Sequence, residues 1–439
     1  MADRSPVRDL LRIAGPVALA RLGIIGMAIT DVVVVGQLAP EELAHQALGL
    51  APMSVLVVAG VGLLNGVQVL AARALGAGNP NEAGAAFKRG LIVAIIAGLI
   101  GTAALWIGGG RLFEAFGIAP ELAAPSGAVT QVFALSIPFI LAFIAQSYFM
   151  EAIKRPGAAS LIMWLGNGVN LALNLLWVPE HGAIGSAWAT FGSRIFLFVV
   201  LGFAMWRLSD RAQFGLNTLK LESANPSYGA LLRVGAAAAV SQAAESGAFA
   251  GMTVIAGRIG AEAVAAYQIL LNIAALVFMT SIGVGSAGAV LTAEAMGRAA
   301  PQDAARSGWT ALQINTISMI VFALVLLIAP GPIARGFSAE PTIVAATIAA
   351  MWVVALMLIP DGAQVVMASA LRARGDNWFP TASHVLAYAL VMPALGFWLG
   401  ETQGLGVAGL FWAIVWSSII SAGILIARWW VLARSPIPG

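Results

Sequence analysis

Long apolar stretches alternate with short polar connections along the whole chain, without the apolar/polar alternation of half-buried strands. Twelve stretches of about 20–28 residues are each long enough to cross about 30 Å of hydrocarbon as a helix. They lie near residues 10–35, 47–71, 90–110, 125–150, 157–178, 183–206, 231–256, 263–290, 309–330, 343–370, 380–399 and 405–427. The opening MADRSPVRDLLR runs into the first of these with no small-residue cleavage site, so that span is expected to stay as a transmembrane helix. The longest polar connection, 207–233, separates two sets of six spans. The expected organisation is an N-lobe over 1–206, a linker over 207–230 and a C-lobe over 231–439.

The two halves resemble each other. At one constant shift, Leu10-Leu11-Arg12 falls on Leu231-Leu232-Arg233, Gly36 on Gly257, Gly76 on Gly297 and Pro80 on Pro301. Near the ends the shift lengthens slightly, and GAIGSAWA at 182–189 matches GVAGLFWA at 406–413. A duplicated six-helix unit accounts for this. The fold class is therefore all-α integral membrane, with twelve transmembrane helices in two pseudo-symmetric six-helix lobes around a central cleft. Transporters built from parallel repeats place their sites near the midplane and expose them alternately to the two sides.

Composition sharpens that picture. The chain is 60% hydrophobic and 10% charged, where soluble domains carry about 25% charged residues. Without cysteine there are no disulfides, no thiol chemistry and no Cys-ligated metal, and His45, His181 and His384 have no metal-ligand spacing. Of the loop lysines and arginines, 18 fall on the side of the N-terminus, Arg372 and Arg374 among them, against Arg111, Arg258 and Arg335 opposite. That bias predicts cytoplasmic termini. The net charge of +3 is thus a topological signature and not a nucleic-acid footprint.

Three acids fall well inside spans: Asp31, Glu245 and Asp361. A carboxylate at bilayer depth costs roughly 2.5–3.5 kcal/mol even on the lenient insertion scale, which makes each a functional candidate. Only Arg21 and Arg194 are basic residues inside spans, both in the N-lobe, so Glu245 and Asp361 are expected to have no base in their own lobe. Such a pair can hold a proton or share a small cation such as Na⁺, which would make it a coupling-ion site. The alternative is that each acid bonds a freed carbonyl or water at a kink, as Pro360 beside Asp361 allows. Arg21 is expected to snorkel or to bond carbonyls between N-lobe helices. Asn167, Asn170 and Asn174 share one helix face by their spacing, suited to lining a cavity or to bonding between helices. Pro16, Pro138, Pro360 and Pro393 are kink candidates. The glycine-rich ALGAGNP at 74–80 lacks the Gly-Lys-Ser/Thr ending of a phosphate loop, and with AMGRAAP at 295–301 it reads as a repeated turn.

The order and spacing of several short motifs resemble the multidrug and toxic compound extrusion (MATE) transporters. They are Pro16-x14-Asp31 followed by Val35-Gly36-Gln37-Leu38, Glu245, Ala266-Tyr267-Gln268-x3-Asn272, and Asp361-x2-Gln364-Val365-x5-Leu371-Arg372-x3-Asp376. Acids in both helix 7 and helix 10, with Asn170-x3-Asn174 in helix 5, are most similar to the NorM-like branch. The resemblance implies a coupling site for H⁺ or Na⁺ at Glu245 and Asp361, with Gln268, Asn272 and Gln364 as polar neighbours. Asp31 would be the N-lobe acid, supported by Asn170 and Asn174. It also implies a non-enzymatic antiporter without cofactors, exporting small organic cations through a cleft for which Phe139, Trp164 and Phe278 are candidate aromatics. A monomer in the inner membrane is expected. The competing readings are a lipid-linked oligosaccharide flippase of the same superfamily, which calls for basic residues in the cleft, and a channel or receptor.

Overall fold

The computed structural model describes residues 6–115, 118, 120–218 and 223–434, and among them there is no strand. The helices are α1 Pro6–Leu38, α2 Leu43–Gly76, α3 Pro80–Ala115, α4 Pro120–Leu135, α5 Ile137–Ala152, α6 Gly157–Trp206 and α7 Tyr228–Ile259. There follow α8 Ala261–Gly297, α9 Pro301–Ile328, α10 Pro330–Phe337, α11 Pro341–Arg374, α12 Trp378–His384, α13 Met392–Gly396 and α14 Gly406–Arg434. Proline opens many of them, where its missing N–H costs no helical bond.

Ten helical segments among the described residues are long and apolar enough to cross a membrane. One is α4 with α5, and another joins α12 and α13 through π-helical turns at Val385–Val391 and Phe397–Thr402. The fifty-residue α6 breaks at Gly182, whose φ of 54° and ψ of −134° suit only a residue without a side chain, so it makes two crossings. With α7 the crossings among the described residues number twelve, in the order read from the sequence. Large apolar side chains such as Val55, Ile107, Leu176 and Ile328 stay exposed on these helices, as lipid-facing residues do. Of the kink candidates, Pro16 and Pro360 lie inside α1 and α11, Pro138 stands in the first turn of α5 after Ser136, and Pro393 sits between the two π-helical turns. Arg4 and Lys220, part of the charge bias, lie outside the described residues, as do 219–222 of the linker.

The chain divides into two compact units whose borders differ from the expected lobes. The N-unit runs from Leu19 to Ala239, and the C-unit takes α1 up to Ala18 together with the chain from Val240 on. The start of α7 thus belongs with the first half and the start of α1 with the second. Glycine is the reason at both places. A Cβ on Gly62 of α2 would sit 2.6 Å from the Ala239 Cα of α7, and one on Gly283 of α8 would sit 2.8 Å from the Ala18 Cβ of α1. Only a bare backbone admits such crossings. The shift that carries Leu10 onto Leu231 also carries Gly62 onto Gly283 and Ala18 onto Ala239, so the duplication is repeated in the packing.

Candidate functional site

In the N-unit, Asp31 lies two turns from the end of α1 and is 2% exposed. Asn170 and Asn174, one turn apart on α6, donate their Nδ2 hydrogens to Asp31 Oδ1 at 3.0 and 2.8 Å. Thr190, beyond the Gly182 break, donates its hydroxyl to Oδ2 at 2.6 Å. The shared face read from the asparagine spacing is therefore the face that holds Asp31. Asn167, on the same face, turns to the Gly23 carbonyl of α1 at 3.0 Å. Arg194 is the charged neighbour of Asp31. Its Nη1 donates to Ser136 Oγ at 2.7 Å, at the break between α4 and α5.

In the C-unit, Glu245 of α7 and Asp361 of α11 are electrostatic neighbours. Gly362 makes this placement possible, since a Cβ there would fall 2.5 Å from Asn315 Nδ2 of α9 and 2.7 Å from Ser281 Oγ of α8. Asp361 Oδ1 accepts from the Tyr388 hydroxyl at 3.3 Å and from Ser418 Oγ of α14 at 3.1 Å. Tyr388 and Ser418 are themselves 3.1 Å apart, and both are fully buried. Tyr388 sits in a π-helical turn, a local widening often found at functional positions. Gln364, one turn along α11 from Asp361, points its Nε2 at Glu245 Oε1 at 3.4 Å. Two carboxylates and two hydroxyls form an oxygen-rich set, which suits a proton or a hard monovalent cation.

Two expectations about the neighbours need correction. Gln268 is turned to Thr253 Oγ1 of α7 at 3.3 Å, two turns past Glu245, and Asn272 is exposed. The C-unit also has a buried base. Arg372, assigned to a loop from the sequence, is 8% exposed in the last turn of α11, and it is a charged neighbour of Glu245. Its Nη2 donates to Ser241 Oγ at 2.7 Å, and Ser241 lies one turn before Glu245 on α7. Arg21, for its part, does not snorkel. Its Nη2 donates to Glu151 Oε1 of α5 at 3.2 Å, its guanidinium lies 5.1 Å from the Tyr148 ring centroid, and Gln68 donates to the other Glu151 oxygen.

The aromatic candidates separate in the same way. Phe139 packs edge-on against Phe191 at 5.7 Å between ring centroids, whereas Trp164 is exposed and Phe278 half-buried. Sequence reasoning missed Thr190, Tyr388 and Ser418, neutral donors common in apolar spans, and it missed Glu151 and Arg372 at span ends. The last two carried a readable signal, because they are repeat counterparts of opposite sign.

The sequence model of the MatE family matches residues 16–176 and 237–398. A probable multidrug resistance protein NorM of Caulobacter vibrioides is 40% identical over 430 residues, covering 97% of this chain and 91% of the relative. The multidrug resistance protein NorM of Burkholderia vietnamiensis is 29% identical, covering 95% and 92%. Among solved structures, a eukaryotic MATE transporter, AtDTX14, superposes with a TM-score of 0.88 at 18% identity, covering 98% of this chain and 97% of that one. A MOP superfamily transporter from Pyrococcus furiosus gives 0.89 at 20% identity with the same coverage. By profile, by full-length similarity and by fold, the chain belongs to the MatE family of multi-pass membrane transporters.

Proposed function

We propose that the protein is a multidrug efflux antiporter that exports lipophilic organic cations in exchange for inward Na⁺ or H⁺, and that Glu245 and Asp361 take the coupling ion. The carrying observation is a formal charge count of the groups gathered around the intramembrane acids. The N-unit balances, with Arg21 against Glu151 and Arg194 beside Asp31, while the C-unit sets one base, Arg372, against Glu245 and Asp361. Arg89, buried near the start of α3, stands apart from these acids and donates to the Ser223 carbonyl at 2.6 Å. A net charge of −1 in a low-dielectric interior calls for one monovalent cation. The named relatives are multidrug resistance proteins, which supports drugs as the cargo.

Competition for that one charge couples the two fluxes. The ion-free site is negative and attracts a cationic drug, an ion cancels the attraction, and linkage makes the effect reciprocal. Alternating access of the two halves, a monomer in the inner membrane and cytoplasmic termini complete the reading. A flippase for a pyrophosphate-linked lipid would need bases open to the cleft, and Arg21, Arg194 and Arg372 already serve Glu151, Ser136 and Ser241. The test is cationic-drug affinity of the purified protein from acid to alkaline pH, with and without Na⁺. Affinity should weaken as either cation rises, and it should become insensitive to both in Glu245→Gln. An affinity flat in pH and in Na⁺ in the wild type would defeat the competition.

A further inference from the structure

We propose that Arg372 is a tethered internal counter-cation of the C-unit site: held on Ser241 one turn from Glu245, it competes with the coupling ion for carboxylate charge and so sets ion affinity. The proposal rests on the antiport reading and adds to it a residue that contacts neither drug nor ion.

The geometry is particular. Arg372 closes the last turn of α11, three turns beyond Asp361 on the same helix, and its guanidinium reaches across to α7. There Ser241 Oγ receives its Nη2 hydrogen at 2.7 Å and lies 2.9 Å from His384 Nδ1 of α12. Ser241 and Glu245 are four residues apart on α7, so they share a face about 6 Å apart along the axis. The bond to Ser241 thus anchors the guanidinium one helical turn from the residue that carries the carboxylate. Its charged and titratable neighbours include Glu245 on α7 and His384 on α12, and Ser241 on α7 accepts its hydrogen bond. His384 is 2% exposed, and its ring meets Tyr388 edge-on at 5.7 Å between centroids. Tyr388 bonds Asp361, so His384, the second partner of the anchoring serine, and the donor to Asp361 share one helical segment.

The physical consequence follows from charge. A full ion pair between Arg372 and Glu245 would neutralise the carboxylate permanently and leave an ion nothing to bind. A site without Arg372 would hold two uncompensated carboxylates and retain a cation more tightly. A guanidinium held nearby on a neutral hydroxyl weakens ion binding by Coulomb repulsion without consuming a carboxylate oxygen. Hydrogen bonding to Ser241 is therefore an adjustable part of the device.

The test reconstitutes the full chain in liposomes and measures ethidium transport driven by a Na⁺ gradient at fixed pH or by a proton gradient without Na⁺. The readout is the half-saturating concentration of the driving cation. In Arg372→Gln it should fall about tenfold, the change expected when a nearby buried unit charge is removed. Arg372→Lys keeps the charge and should stay near wild type. Ser241→Ala removes one of the bonds that anchor the guanidinium beside Glu245, lets it lean toward the carboxylate and should raise the half-saturating concentration, an opposite sign that a structural role does not produce. Arg428→Gln removes a charge paired with Asp376 and serves as the control. An unchanged value in either Arg372→Gln or Ser241→Ala, or a rise in Arg372→Gln, overturns the proposal. If Arg372→Gln fails to insert, Ser241→Ala decides alone. Absence of cation-driven transport in the wild type would instead defeat the antiport reading and this proposal with it.

Discussion

In the N-unit the buried base stands on the first helix and its acid at the end of the fourth crossing, Arg21 on α1 and Glu151 on α5. In the C-unit the corresponding helices carry the reverse, the acid Glu245 on α7 and the base Arg372 at the end of α11. Glu151 and Arg372 occupy the same place in the repeat, at the shift that relates Leu10 to Leu231. The difference lies in closure. Arg21 touches Glu151 at 3.2 Å, with Gln68 on the second oxygen, whereas Arg372 donates to Ser241 and Glu245 receives a long contact from Gln364. Duplication kept the positions at which a charge can be buried and left their sign and their pairing free. One copy became a closed ionic contact and the other an open one.

The sharpest way to break this comparison is to neutralise the acids one at a time. Glu245→Gln and Asp361→Asn keep shape and remove charge, and each should abolish gradient-driven efflux with insertion nearly intact. Asp31→Asn should reduce efflux only severalfold. Its carboxylate already receives three neutral donors, and an asparagine oxygen can still accept from Asn170 and Asn174. Drug efflux from vesicles under an imposed gradient checks all three. Equal loss in Asp31→Asn would place part of the coupling in the N-unit.

A second experiment separates stability from coupling. Glu151→Gln leaves Arg21 buried without its carboxylate, and breaking a buried pair by removing one partner costs about 3–5 kcal/mol. Thermal unfolding in detergent should show the loss, with the half-saturating cation concentration of surviving protein unchanged. A shift in that concentration would mean that the closed contact also tunes the ion site.

The twelve crossings, the duplication and the pairing of Glu245 with Asp361 were legible because each rests on a strong local signal: apolar runs, a fixed shift, and acids where acids are costly. The asparagine face was legible because helical spacing alone puts Asn170 and Asn174 together. Glu151 and Arg372 were not placed, since hydropathy ends a span several residues early while α5 runs to Ala152 and α11 to Arg374. A charge in a last helical turn reads the same whether it meets water or a neighbouring helix. The unit borders at Ala18 and Ala239 were hidden for a related reason: a glycine crossing is a tertiary fact, and Gly62 and Gly283 are two among 49 glycines.

The smallest expected effect concerns a second reversal of sign, outside the spans. Arg155 after α5 makes two hydrogen bonds to Asp210 after α6, at 2.9 and 2.7 Å, and Asp376 after α11 accepts from Arg428 of α14 at 2.8 Å. Arg155 and Asp376 are again counterparts at the shift of the repeat. Hydrogen bonding from Arg155 holds the Asp210 carboxyl below its ordinary range. A depressed carboxylate stabilises above its unfolded pKa of about 3.9, and that contribution disappears as pH falls through the lower folded value. Because the pair is exposed, Arg155→Ala should cost no more than about 1 kcal/mol near neutral pH, and the gap from wild type should close in acid and shrink in high salt. The exchange Arg155→Asp with Asp210→Arg should recover most of the loss, since the C-unit holds the same corner with the opposite order. Tryptophan-fluorescence melting curves of the single and double variants measure this directly. A double exchange no better than Arg155→Ala would show that backbone context, and not charge alone, sets the order of the pair in each half.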